Sequence, residues 1–202
     1  MERDETWVSD EYGTSHKGRV GVLLADGTGP GPVYFDSSSS GSGWEVRHWS
    51  VYDGEGPDTP RPKAAALRAE CSCGWTGGPR PVDWEKAGEL SFGERAGADA
   101  DRCATDWDRH TTAVDESTVA LPAELEELLE EVMAAIEYLG QVSPTAGLKA
   151  ARRLEVIAQR TAHWPAHDAR AHDVEKVAAA LGLSIDATRS LLARYGGWSP
   201  YS

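Results

Sequence analysis

The spacing of apolar positions changes once along the chain. Up to about residue 96 they come in short runs broken by glycine, proline and serine. "GRVGVLLAD", "PVYFD", "GWEVRHWSVYD" and "AALRAECSCGW" are rich in Val, Tyr and Trp, and "DGTGPGP", "SSSSGSG" and "DGEGPDTPRP" separate them. Runs of this length between turn residues predict strands, here a small antiparallel sheet. With "WEVRHWSVY" as a single strand, Glu45, Arg47, Trp49 and Val51 share one face, and Trp44, Val46, His48 and Tyr52 take the other. The alternation is imperfect, so either face could be the buried one. The serine-glycine run 37–43 reads as a hairpin loop rather than a phosphate cradle, because no Lys-Ser/Thr and no helix follow it. The prolines of "DGTGPGP" exclude the same role there, since proline has no N–H to donate.

From about Gly97 the period becomes helical. "AGADADRCATDWDRHTTAV" has acidic residues early and a histidine late, which suits the helix dipole. "LPAELEELLEEVMAAIEYLG" places Leu125, Leu128, Leu129, Val132, Ile136 and Leu139 on one stripe, with an outer face that is almost wholly Glu. Pro122 suits the first turn and Gly140 a C-terminal stop. In "SPTAGLKAARRLEVIAQRTAHW", Ser143 can cap the next helix, and the short 140–142 connection predicts antiparallel packing. Pro165 is expected to end that helix near Trp164.

Charge divides the chain in the same place. The 202 residues carry a net charge of −13. From Thr145 onward there are eight Lys/Arg and five Asp/Glu, a net of +3, so the remainder carries −16. The acidic whole argues against unaided nucleic-acid binding, while the basic tail allows it locally. No apolar run approaches the roughly 20 residues of a membrane helix. "MERDETWVSD" lacks the apolar core of a signal peptide, and three cysteines make no disulfide framework. A cytoplasmic protein is expected, with no membrane partner.

"DVEKVAAALGLSIDATRSLLARYGGW" predicts two short helices around Gly182, together spanning 174–195. Val174, Val177, Ala178 and Leu181 would form the apolar side of the first, and Ala187, Leu191 and Leu192 that of the second. Ser184 can cap the second helix, and the small Ala178 lets the two cross closely. This is the spacing of a DNA-binding helix-turn-helix. In "KVAAALGLS" and "ATRSLLARYG", about 25 residues, the chain resembles the sigma-factor-like and regulator-like helix-turn-helix modules of bacteria. The resemblance implies that Ser184, Ile185, Asp186, Arg189 and Ser190 face the major groove, with Arg194 among the supporting cations. Arg189 is the one good base reader, Asp186 repels phosphate, and the apolar Ile185 suits a protein partner. A helical bundle that binds protein is therefore the alternative. In "HWPAHDARAH", Pro165 separates His163 from His167 and argues for a histidine-decorated linker rather than a metal site.

The chemistry worth testing lies in "AECSCGWTG". A C-x-C pair can place two thiolates on one metal, and zinc wants four N/S/O donors at tetrahedral geometry. The remaining donors are sought in "DRCATDWDRH". Asp106 and His110 stand one helical turn apart on one face, so Cys71, Cys73, Asp106 and His110 form an allowed set. Cys103 lies seven residues before His110, about 10.5 Å along a helix axis, and joins only if the helix unwinds. The alternative is that Cys71 and Cys73 are small buried residues beside Trp75. "CSCGWTG" with the later "DWDRH" resembles a recurring bacterial zinc-ribbon-like module, of no defined activity, that pairs a C-x-C-G-W knuckle with a later Trp-x-x-His. Trp75, Trp107 and His110 match it as well as the cysteines do. The departure is an insert of 36 residues between Cys73 and His110.

The expectation is an α+β protein: a small antiparallel β-rich module with a closing helix over 1–113, then an all-α helical bundle containing a helix-turn-helix over 118–202. A Zn2+ ion would be structural. No nucleophile motif, phosphate loop or paired carboxylates point to an enzyme. The functional expectation is a bacterial regulatory or accessory protein that binds DNA, with a protein-interaction adaptor as the alternative.

Overall fold

Strand β2 (Gly13–Leu23) is the spine of the N-terminal part of the chain. Its His16, Gly18, Val20 and Val22 are buried while Lys17 and Arg19 are exposed, the period of two expected of a strand with one covered face. The structure is a computed structural model that describes residues 6–9, 11–36, 43–56, 59–85 and 91–197. Strands β1 (Thr6–Ser9) and β5 (Ala66–Cys71) flank β2, and the short β6 (Arg80–Pro81) completes an antiparallel sheet of order β1-β2-β5-β6. A separate hairpin pairs β3 (Val33–Asp36) with β4 (Gly43–Val46). Apart from Gly43, the serine-glycine run lies outside the described residues.

The chain does not stay extended through 43–53. β4 stops at Val46, and His48 caps a 3-10 turn over Trp49–Val51 by accepting the Ser50 N–H on its Nδ1. The turn breaks the alternation, so His48, Trp49 and Tyr52 are all buried instead of dividing between two faces.

Helix α1 (Phe92–Ser117) closes this sheet. It begins before Gly97 because Ser91 and Glu94 form a reciprocal capping box: Glu94 N–H donates to Ser91 Oγ, and Ser91 N–H donates to the Glu94 carboxylate. Phe92, Ala96, Ala100, Cys103 and Trp107 fall on one buried stripe. Trp107 lies over Gly18, where a Cβ would stand 2.5 Å from the indole nitrogen. Only glycine at that position lets the helix approach the sheet. Trp7 on β1 packs against the same indole, with ring centroids 5.8 Å apart. Burying a tryptophan of this size contributes about 4–6 kcal/mol.

The chain divides into two compact units, Met1–Glu116 and Ser117–Ser202. The second is all helical: α2 (Ala123–Val142), α3 (Pro144–Thr161), α4 (His163–Ala169), α5 (Val174–Ala180) and α6 (Ile185–Gly196). Gly140 does not end α2. It sits within the helix where α3 approaches closest, and a Cβ on Gly147 would stand 2.7 Å from the Gly140 Cα. Pro165 does not end α3 either. That helix stops at Thr161, and Pro165 occupies the first turn of α4, where no intrahelical N–H is needed. Asp173 and Ser184 cap α5 and α6 by accepting the N–H groups of Glu175 and Ala187. Gly182, at a φ of +62°, makes the turn between them. Among the described residues no helix is long and apolar enough to cross a membrane.

Candidate metal centre

β5 ends at Cys71, and the chain reverses through Ser72–Gly74. Gly74 N–H donates to the Cys71 carbonyl, Cys71 N–H donates to the Trp75 carbonyl, and Gly74 takes a φ of +96°. This tight knuckle turns Cys73 back toward Cys71. The register Gly18↔Cys71, continued two positions along β2, brings His16 level with the knuckle. From the other side α1 delivers His110, one turn after the anchored Trp107.

The four side chains converge. One donor atom from each of His16, Cys71, Cys73 and His110 lies within 4.8 Å of every other, so the group can hold a metal ion. Cys71 Sγ is 3.5 Å from His16 Nδ1, and Cys73 Sγ is 3.3 Å from His110 Nε2. Bonds of about 2.3 Å to sulfur and 2.0–2.1 Å to nitrogen, set at tetrahedral angles, put S and N about 3.5 Å apart. His16 and Cys71 are buried, while Cys73 and His110 are half-buried.

The surroundings fix the ligands. The Trp75 indole stacks flat on the His110 imidazole, with centroids 4.3 Å apart and planes 2° from parallel. The Trp75 N–H points at Cys73 Sγ from 3.5 Å, a contact that favours the thiolate. Tyr12 meets the His16 ring edge-on and donates its hydroxyl to Asp115 near the end of α1. Without metal, burial pushes the Cys73 thiol up to about 11. Burial, and then the neighbouring His16, hold His110 below its ordinary value and so favour the neutral ring that can ligate.

Two residues of the sequence expectation stand elsewhere. The Asp106 carboxylate is taken by Arg80 at 2.6 Å and Arg109 at 3.1 Å, which keeps its pKa below the usual range. It ties β6 to α1 and is not part of the group that could hold a metal; the fourth member of that group is His16. Cys103 is fully buried in the core beneath the sheet, where burial raises its thiol to about 11. Because α1 is unbroken between Cys103 and His110, the helix keeps them two turns apart. His16 was missed because it lies 55 residues before Cys71 in a polar stretch, "GTSHKG". Its one signal was phase: it alternates with Gly18, Val20 and Val22.

On α6, Ile185, Asp186, Arg189, Ser190 and Arg194 are exposed on the helix surface. Arg189 pairs with Asp186 at 3.2 Å, and the Ser190 hydroxyl donates to the Asp186 carbonyl at 2.9 Å. The Ser184 hydroxyl is occupied as the cap, and the Arg194 guanidinium lies 5.3 Å from the Tyr195 ring centroid. His163 does not decorate a linker. It is buried, and its Nδ1 donates to the Tyr195 carbonyl at 3.2 Å, joining α4 to α6. Neither His163 nor His167 belongs to a metal-binding group among the described residues. Compared with protein-family models, with curated proteins and with solved structures, the chain gave no match.

Proposed function

We propose that the first unit is a zinc module whose ion is structural, and that the protein works by binding rather than by catalysis. The observation that carries this is the Cys2His2 donor set converging from β2, the knuckle and α1. Two thiolates and two imidazoles at tetrahedral spacing suit Zn2+ above the oxygen-seeking cations. Four protein donors leave no open position for a substrate or an activated water. A cleft of about 510 Å³ opens beside His110, but the one acid lining it, Asp106, is already held by two arginines. The ion would join three segments that are distant in sequence, the role implied by the resemblance to zinc-ribbon-like modules. Elemental analysis of the purified chain tests this. One zinc per chain, lost in Cys71→Ser and in His110→Ala, supports it; a metal-free wild type sinks it.

For the second unit we infer DNA binding through α5 and α6. What favours it is the exposed row Arg189, Ser190 and Arg194, on a capped helix that follows a tight glycine turn. An electrophoretic shift by the full chain on mixed-sequence duplex at low salt, weakened in Arg189→Ala, is the expected result. Phosphate attraction is greatest at low salt, so no shift there leaves the adaptor reading, for which the exposed Ile185 speaks.

A further inference from the structure

Within the second unit the α2–α3 hairpin lies uncovered by its other helices among the described residues. α2 has no buried residue along its 20 positions. Leu128, Leu129 and Met133 are 56, 54 and 55 % exposed, and Leu154 and Ile157 on α3 are 41 and 47 % exposed. These side chains are not scattered. Leu125, Leu128, Leu129, Val132 and Ile136 form one stripe on α2, and Ala150, Leu154, Ile157 and Ala158 form one on α3. A contiguous apolar face of this extent marks an association surface.

The charges beside the stripes say what covers it. α2 carries Glu124, Glu126, Glu127, Glu130, Glu131 and Glu137 and no cation, whereas α3 carries Lys149, Arg152, Arg153 and Arg160 against Glu155 alone. On the helical wheel Glu124 and Glu131 line one flank of the α2 stripe, and Arg153 and Arg160 line the same-handed flank of the α3 stripe, the flanks that face each other when two helices pack antiparallel. Glu124 and Glu131 are seven residues apart, two turns, and so are Arg153 and Arg160. Although α2 and α3 are neighbours, no ion pair joins them among the described residues; Arg152 pairs within its own helix, with Glu155. One surface therefore presents both members of a complementary pair, which is what a two-fold interface between identical chains requires.

We propose that a second copy of this chain covers the hairpin, giving a four-helix bundle in which α2 of each copy lies antiparallel on α3 of the other. Glu124 then meets Arg160 of the opposite copy and Glu131 meets Arg153, while the apolar stripes close on each other. A 20-residue helix is about 30 Å long and about 10 Å wide, so a two-helix face offers about 600 Å² per copy. The pair then buries about 1,200 Å², the lower bound of a specific interface. This proposal is independent of the metal centre and of DNA binding.

Sedimentation equilibrium of the full chain is the test. The wild type is expected at twice the chain mass of 21.8 kDa. Glu124→Lys with Glu131→Lys in one variant, and Arg153→Glu with Arg160→Glu in another, should each weaken self-association about tenfold or more, because like charges then face each other. Mixed in equal amounts, the two variants restore opposite charges at both contacts and should associate as tightly as the wild type. Recovery on mixing is a result that misfolding of either variant cannot imitate. A wild type that stays monomeric at its solubility limit overturns the proposal, whichever surface covers the hairpin. So does an oligomer other than a dimer, or a mixture of well-folded variants no tighter than either alone.

Discussion

Replacing His16 by alanine separates the candidate metal cluster of the fold from the ligand set expected from the sequence. The ring is 3 % exposed, and its Nδ1 lies 3.5 Å from Cys71 Sγ. Structural zinc sites bind with about 10–16 kcal/mol at neutral pH, so one donor in four accounts for about 3–4 kcal/mol. That corresponds to a dissociation constant weakened about 10²–10³-fold. Because the ion binds the folded chain only, the same loss appears in stability at a fixed free zinc concentration. For a unit of this size it lowers Tm by about 10–20 °C. Competition against a chromophoric chelator reads the affinity, and thermal melting with and without zinc reads the stability. The Tm gap between wild type and variant should narrow when both are stripped of metal, which separates the lost donor from the cavity left by the ring. If His16→Ala keeps wild-type affinity while Asp106→Ala loses the ion, the assignment of the fourth donor is wrong.

Other outcomes follow from the same geometry. With burial holding the metal-free Cys73 thiol at about 11, binding at neutral pH must expel that proton. Affinity should therefore rise about tenfold per pH unit between about pH 6 and 8 on this account alone, and acid should release the metal; a flat profile contradicts the thiolate ligand. Asp106→Asn should leave zinc stoichiometry unchanged and cost about 1–3 kcal/mol in denaturant melts at neutral pH, because two arginines lose their anion. Since Arg80 keeps the Asp106 pKa low, the stability this carboxylate adds is complete at neutral pH and lost as pH falls through the folded value. The gap between wild type and variant should therefore close in acid. Gly18→Ala places a Cβ 2.5 Å from the Trp107 indole nitrogen and should cost about 1–3 kcal/mol, seen as a lower Tm and a changed near-ultraviolet dichroism. An unchanged melt there would mean α1 does not rest on the sheet at that point.

Much of the architecture was legible because it is set by local rules. The change of apolar spacing after about residue 96 separates sheet from helix, and the α2 stripe and the Ser184 cap can be read position by position. Local rules misled where a longer-range contact decided the outcome. Gly140 looked like a stop signal, but α2 runs through it to Val142, and the missing Cβ of Gly147 lets α3 come close to it. Pro165 looked like a terminator, but it needs no N–H in the first turn of α4. His48 looked like one more strand residue until its ring accepted the Ser50 N–H and folded the chain into a turn.

The candidate metal centre divides along the same line. Cys71, Cys73 and His110 could be singled out from the sequence, because a knuckle needs two cysteines beside a glycine and a later histidine on a helix can reach them. Asp106 was chosen by helix geometry alone, which ranks neighbours on one face and is blind to Arg80 arriving from β6. His16 came from the pairing register of β2 with β5, and no spacing rule covers 55 intervening residues. By itself the sequence determined the change from sheet to helix, most of the helices and three of the four residues of the cluster, since these depend on periodicity and on residues a few positions apart. Only the tertiary structure decided the fourth residue and the ion pairs that removed its rival, because strand register and helix docking are fixed by burial summed over the whole unit.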